Sequence, residues 1–332
     1  MASFPYKSNN ETPYAVGVGS ALMDIILNES DEFLEQNGVI KGGMELVDAD
    51  KANELLAKSS ETPLLVPGGS AANTLIGLGR LSGKAAFIGC AGDDKLGDDY
   101  QAALKANNVE PIFTTTATPT GQVLSIVTPD AQRSMLTYLG AAAEMSPETF
   151  STSIFGDADL VHIEGYLLFN EALIRKVLEA AKEAGIIVSL DLAAFTVIDA
   201  NPTLVKELVK EYVDIVLANE DEAKAYTGFE DEHKAVAELA KDAAVAVVKI
   251  GARGSLVQYD GEVTVIAPYG EEKPKDTTGA GDLWASGFLY GLINGKSFAE
   301  AGRIAGMTGY EVCRVFGAHL SDETWARIKS DI

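Results

Sequence analysis

The sequence predicts an α/β fold: a central, mainly parallel sheet with helices on both faces, plus a small β-sheet lid. Three observations predict it. Short runs rich in Val and Ile alternate with helical patterns through most of the chain. Those runs are apolar from end to end, as strands covered on both faces are. Two segments, 25–48 and 111–141, interrupt the alternation with short extended pieces and turn signals.

The first strand falls at 14–18. Segment 25–48 then holds two short extended pieces around a small helix. A helix at 71–82, a strand at 85–90 and a helix at 97–107 make the first regular repeat of the alternation. Segment 111–141 reads as an antiparallel meander, with Thr and Val alternating and a turn at Pro129-Asp130. Strands at 160–163, 186–190, 215–217 and 245–250 follow, separated by helices at 171–184, 203–211, 220–227 and 232–242. After Gly279 the chain is helical, over 280–294, 297–315 and 322–330, with Gly295 placed to end the first of these. No repeat, low-complexity tract or linker divides residues 1–332, so one domain with two inserted lid segments is expected.

Composition narrows the function. The 332 residues carry 26 Lys+Arg and 49 Asp+Glu, a net charge of −23, while 47% are hydrophobic. That apolar content excludes a disordered chain. The acidic balance argues against nucleic acid and anionic membrane surfaces, both of which need clustered Lys and Arg. Two cysteines and three scattered histidines exclude a disulfide framework and a Cys/His metal cluster. The N-terminus lacks an apolar leader and no stretch is long enough to span a membrane, so a soluble cytoplasmic protein is expected. Its oligomeric state, monomer or homodimer, stays open.

Two familiar phosphate motifs fail. Gly17-Val18-Gly19 lacks the third glycine of a dinucleotide fingerprint, since Leu22 stands there, and Gly295-Lys296-Ser297 lacks the leading glycine of a P-loop, since Tyr290 stands there. A different run is informative. Asp276-Thr277-Thr278-Gly279-Ala280-Gly281-Asp282 precedes a helix. Small residues at a helix start let successive N–H groups converge on one spot at the positive end of the helix dipole, an anion hole. A carboxylate beside such a hole, Asp282, suits a base that accepts a proton from a hydroxyl attacking phosphorus.

This run resembles the C-terminal signature of the ribokinase-like (PfkB) sugar and nucleoside kinase family. Gly19 to Asp24, Pro67-Gly68-Gly69 to Asn73, Gly89 to Gly97, Asn219 to Glu222 and Gly251 to Gly254 resemble its other motifs, in order and across nearly the whole chain. The resemblance implies transfer of the γ-phosphoryl of ATP to a primary hydroxyl. It implies that Asp282 is the base and that the amides of Gly279, Ala280 and Gly281 hold the developing charge. Asp24, taken to end a strand, with Gly68, Gly69 and Asn73, would bind the acceptor. Asn219 and Glu222 would act around Mg²⁺ and the phosphates, Glu222 through water, or simply start a solvated acidic helix. Gly251 and Gly254 would lie against the nucleotide. Lys249 stands where Thr is common and either pairs with a phosphate or is a surface substitution. Arg133 either reaches over the transferred phosphate or is a solvated hairpin charge. Asp276, with carbonyls near Cys313 and Gly317, falls where many members hold a monovalent cation such as K⁺.

The acceptor is less determined. The lid segments resemble those of the adenosine kinase branch, and Tyr166 falls where that branch has an aromatic near the purine, although core packing is an alternative. Ala71-Ala72 is closer to the general sugar-kinase form. The sequence therefore points to adenosine or a related nucleoside, with a fructose- or ribose-type sugar second.

Overall fold

The computed structural model describes Phe4, Ser8, residues 10–130 and residues 132–332. Among these, fourteen strands form two sheets. In chain order they are β1 (Ala15–Val18), β2 (Leu22–Asn28), β3 (Met44–Leu46), β4 (Leu64–Gly68), β5 (Ala85–Gly92), β6 (Val109–Thr116), β7 (Gly121–Val127), β8 (Arg133–Tyr138), β9 (Leu160–Glu164), β10 (Ile187–Asp191), β11 (Ile215–Asn219), β12 (Val245–Lys249), β13 (Ser255–Tyr259) and β14 (Glu262–Ile266).

The larger sheet runs β14-β13-β12-β11-β10-β9-β1-β5-β6, parallel from β12 to β6. Alternate residues of each inner strand enter one of two cores. Val16, Val161, Ile163, Val188, Leu190, Val216 and Val248 pack under the helices at Glu171–Ala184, Pro202–Tyr212 and Glu232–Leu239. Ala15, Leu160, Ile215, Leu217, Val245 and Val247 pack under Ser70–Ser82, Ala280–Ile293 and Phe298–Val312. Both sets are buried, which is why the strands read as continuous apolar runs. At about 1.5–3 kcal/mol for each large side chain removed from water, these two layers supply the main driving force for the fold.

The smaller sheet, β3-β8-β7-β2-β4, has its own core of Ile25, Leu27, Leu34, Leu124, Ile126 and Leu136. Its boundaries differ from those read in the sequence. β2 begins at Leu22, so Asp24 lies within a lid strand rather than at the end of a strand of the main sheet. Residues 111–116 belong to the main sheet: β6 pairs parallel with β5 along its length, and the lid resumes only at Gly121. β4, which the reading passed over, completes the lid, as does a helix at Ala49–Lys58 capped by Asp48. The β13–β14 hairpin was also passed over. Its turn, Asp260-Gly261, has both φ values positive, as a two-residue hairpin with the strand twist requires.

The order of strands reverses at β1. The chain adds β5 and β6 on one side of it and β9 to β12 on the other, which opens a crevice at the carboxyl ends of the strands. There β1 gives way to Gly19-Ser20-Ala21 and the chain climbs into the lid through β2. Both sheets therefore face one crevice.

Candidate active site

Four neighbouring parallel strands end on polar residues. Glu164 closes β9 opposite Asp191, which closes β10, and Asn219 of β11 lies opposite Lys249 of β12. A carboxylate can be kept at such a strand end only if donors compensate its burial. Glu164, 1% exposed, accepts from the Ser20 amide at 2.8 Å and the Ala71 amide at 3.2 Å. It thereby ties the end of β1 to the start of helix Ser70–Ser82. Asp191 accepts from Lys249 Nζ at 2.7 Å and from the Ala193 amide at 2.9 Å.

Helix Ala280–Ile293 points its N-terminus at this row, with Gly279 at its cap in the left-handed region, φ 73°. Asp282 in the first turn accepts from Ser70 Oγ at 2.7 Å and from Asn73 Nδ2 at 2.9 Å. Burial pushes its carboxyl up to about 6, against the pull of those two donors. The Ala280 amide donates to the Thr277 carbonyl at 3.1 Å, so one of the three amides read as an anion hole is spent on the loop itself. A Cβ on Gly281 would stand 3.2 Å from Lys249 Nζ, which puts the lysine head beside the helix mouth.

Asp24 descends from the lid into the same crevice. Burial raises its carboxyl to about 6; Arg133 opposes that and Asp282 adds to it. A side chain on Gly68 would meet Asp24 Oδ1 at 2.6 Å, so only glycine leaves room there for the carboxyl. Arg133, its side chain only 12% exposed, is not a solvated hairpin charge. Its guanidinium donates to Thr278 Oγ1 at 2.5 Å and Ser125 Oγ at 2.9 Å, and lies 3.7 Å from both Asp24 and Asp276.

The remaining residues divide. Lys249 is likewise largely withdrawn from solvent, which excludes the surface alternative. Tyr166, 42% exposed, is not core packing. It stands on the turn after β9, within electrostatic reach of Glu164, Asp282, Glu222 and Asp191. Glu222 and Asn219 satisfy each other: each backbone amide donates to the other's side chain, and Asn219 Nδ2 donates to Glu222 Oε1 at 2.7 Å. That capping box starts helix Glu220–Thr227, and it buries Glu222 rather than leaving it solvated. Burial, then Asp191, raises Glu222 to about 7. Gly69 sits against Ser20 O, where a Cβ would come to 2.4 Å. Gly251 has open space around it, whereas a Cβ on Gly254 would run into Ile266 O, so the approach of that strand by itself requires glycine at 254.

The cation sites read from the sequence fare differently. Asp191, Glu222 and Asp282 all act on one lysine, Lys249, an excess of carboxylate that fits a divalent cation. Among the described residues no group of three or more His, Cys, Asp or Glu is arranged to hold a metal by itself, so Mg²⁺ there would draw other ligands from phosphate and water, as it commonly does. The Asp276 set differs. Its oxygens accept from the amides of Thr278 and Gly317 and from Thr278 Oγ1, the Cys313 carbonyl accepts from the Lys275 amide, and Arg133 is adjacent. A donor set already turned on N–H groups and a guanidinium does not fit a monovalent cation, and none is assigned.

Glu164 and Asp191 were missed from the sequence. The signal was present: each is an acid closing a Val/Ile-rich strand, the place where ligands gather in an open parallel sheet.

An open α/β sheet with carboxylates at its strand ends, a glycine-capped helix aimed at them and a second sheet carrying an acid over the crevice is the build of a kinase for small hydroxyl compounds. Comparison with known proteins agrees. Residues 44–325 match the pfkB family carbohydrate kinase model. The chain is 30% identical to a ribokinase of Haemophilus influenzae over 245 residues, 70% of this chain and 76% of that one. It superposes on an adenosine kinase of Sinorhizobium meliloti with a TM-score of 0.86 at 32% identity, covering 97% and 100% of the two chains. It superposes on a probable sugar kinase of Rhizobium etli with a TM-score of 0.87 at 32% identity, covering 96% and 98%. The chain belongs to the PfkB carbohydrate kinase family, and is a phosphotransferase acting on a hydroxyl group.

Proposed function

We propose that this enzyme transfers the γ-phosphoryl of ATP to the primary hydroxyl of a ribose-containing nucleoside, adenosine or a close analogue. The observation that carries the acceptor is aromatic. Tyr166, Phe169 and Phe195 are 42%, 63% and 49% exposed, and all three belong to segments that directly follow the strand-end acids. The 165–169 turn packs against helix Phe195–Ala200. Exposed rings beside a buried polar site suit a flat heterocycle, whereas a bare sugar needs hydroxyl partners on every side. The similarity to the Sinorhizobium enzyme supports the same reading.

In this reading Asp24 accepts from the ribose hydroxyls, and Asn73 Oδ1, buried and without a hydrogen-bond partner among the described residues, accepts from another. Asp282 takes the proton of the attacking hydroxyl as its oxygen bonds to phosphorus. The bond from γ-phosphorus to the bridging oxygen breaks, and its electron pair leaves with ADP. The mouth of helix Ala280–Ile293 stabilises the charge spread over the moving group. Mg²⁺ supplies charge neutralisation on the phosphates, near Glu222 and Asn219. Lid and sheet together exclude water.

A sugar acceptor is the second reading, supported by the similarity to a ribokinase and a probable sugar kinase. ADP release from Mg-ATP, measured over a panel of nucleosides and pentose and hexose sugars, tests both. Turnover with nucleosides at least about tenfold more efficient than with any sugar, as kcat/KM, is the result expected. The reverse order overturns the nucleoside reading.

A further inference from the structure

Lys249 lies in an unusual electrostatic position. Its ammonium stands at the mouth of helix Ala280–Ile293, close to Gly281. Cations are stabilised at the C-terminal end of a helix and opposed at the N-terminal end. Asp191 compensates: its Oδ2 is 2.7 Å from Nζ, and it is the one carboxylate within ion-pair distance of Lys249 among the described residues. The two side chains are only 14% and 8% exposed.

Asp191 is held in its turn. Its Oδ1 accepts from the amide of Ala193, a non-glycine residue with φ +62°. A left-handed alanine is sterically disfavoured and persists only where its surroundings impose it. One oxygen is thus fixed by a strained turn and the other aims the lysine. The ammonium has three N–H donors, and a single acceptor takes one of them. The helix mouth and the free lysine donors converge, while the Ala280 amide is spent on Thr277.

We propose that Asp191 is a positioning residue that holds Lys249 at the helix mouth, where the lysine completes the anion hole and binds the migrating phosphoryl group. This rests on the kinase reading above and goes beyond it by assigning the acid the sequence did not mark. Lys249 keeps its proton throughout; the acceptor proton goes to Asp282. The lysine engages the γ-phosphoryl selectively, so it distinguishes ATP from ADP.

The test has a readout that needs no acceptor. Calorimetric affinities for Mg-ATP and Mg-ADP are measured for the wild type, Lys249→Met, Lys249→Arg, Asp191→Asn and the Asp191→Asn/Lys249→Met double variant. In Lys249→Met the preference for ATP over ADP should fall about tenfold, and turnover with the best acceptor should fall about 10²-fold, as for loss of one oxyanion donor. Asp191→Asn should lose less, Lys249→Arg should retain part of the activity, and the double variant should match Lys249→Met, since the acid acts through the lysine. A purely structural ion pair gives another pattern. The single variants would then lose thermal stability, and the double variant, with no buried charge left unpaired, would regain both stability and turnover to within about threefold of the wild type. That recovery, or an unchanged ATP-to-ADP ratio in Lys249→Met, overturns the proposal. Should wild-type protein bind no ATP, the kinase reading itself fails, an outcome distinct from either.

Discussion

The Asn73 side-chain nitrogen donates to Asp282 Oδ2 at 2.9 Å, while its oxygen is buried without a hydrogen-bond partner among the described residues. Leaving a buried amide oxygen unpaired costs about 1–3 kcal/mol. The cost is explained if a substrate hydroxyl fills the position beside the carboxylate that deprotonates it. Asn73 then orients both the base and its proton donor from one helix start.

Asp282→Asn should lower kcat by about 10²-fold or more with ATP affinity nearly unchanged, because the base acts only as the new bond forms. Its stability should change in a defined direction. The folded-state carboxyl titrates near 6 against an ordinary 3.8, so between these values the native protein binds more protons than the unfolded chain. Stability is therefore lost as pH rises from about 4 through 6. The amide removes that loss, about 3 kcal/mol at about 1.4 kcal/mol for each pH unit between 3.8 and 6. The variant should melt above the wild type at pH 8, with the gap closing near pH 4. Near-normal turnover, or a gap that grows in acid, contradicts the assignment.

The acid limb of kcat/KM should lie near pH 6. Asp24 and Asp282 both titrate there, and the Asp282 charge adds to the rise at Asp24, so the limb reports both groups and should be steeper than one proton. Arg133 faces Asp24, and Asn73 and Ser70 face Asp282. Removing the Asn73 donor takes away a group that favours the ionised carboxyl, so Asn73→Ala should move the limb to higher pH. Asp24→Asn should reduce its slope to one proton. A limb indifferent to Asn73→Ala separates Asn73 from the base.

Much of this was legible beforehand, for a physical reason. Strands buried on both faces leave no polar residue to confuse the pattern, so β9 to β12 were read within a residue or two. The lid was read less well, because its outer strands β3 and β4 are largely exposed and its strands pair across long sequence separations: β2 pairs with both β4 and β7. β6 carries Thr at 114, 115 and 116 and sits at the sheet edge, so its composition resembled the lid rather than the core it joins. Within the site, Asp24, Asn73 and Asp282 were found because each sits in a short motif. Glu164 and Asp191 belong to none; their partners, Ser20, Ala71 and Lys249, lie far along the chain. Gly254 sits in a motif too, and the approach of Ile266 O gives it a second reason to be glycine that the motif does not show.

Gly68→Ala separates acceptor binding from nucleotide binding. The new methyl would meet the Asp24 carboxyl at 2.6 Å, and that short side chain has no slack to retreat. The acceptor KM should rise about tenfold or more at unchanged ATP affinity, with a stability loss of about 1–3 kcal/mol. Asp24→Ala should weaken the acceptor likewise without the stability loss from overpacking. An unchanged acceptor KM in both variants removes Asp24 from the site.

The aromatic rim gives the sharpest test of the acceptor. Stacking a base on an aromatic side chain contributes about 1–3 kcal/mol, or roughly 5- to 150-fold in affinity. Tyr166→Ala and Phe195→Ala should therefore raise KM for nucleosides by about tenfold each, and leave KM for any sugar that turns over within about twofold. Tyr166→Phe should behave like the wild type, because the flat ring rather than the hydroxyl does the binding; burial and the neighbouring acids already keep that phenol protonated, near 12. The measurement is a comparison of KM across one nucleoside and one sugar in the same preparation, so a general loss of folding would move both values together. Equal effects on the two acceptors would mean that the rings shape the crevice without touching a base, and the sugar reading would then take precedence.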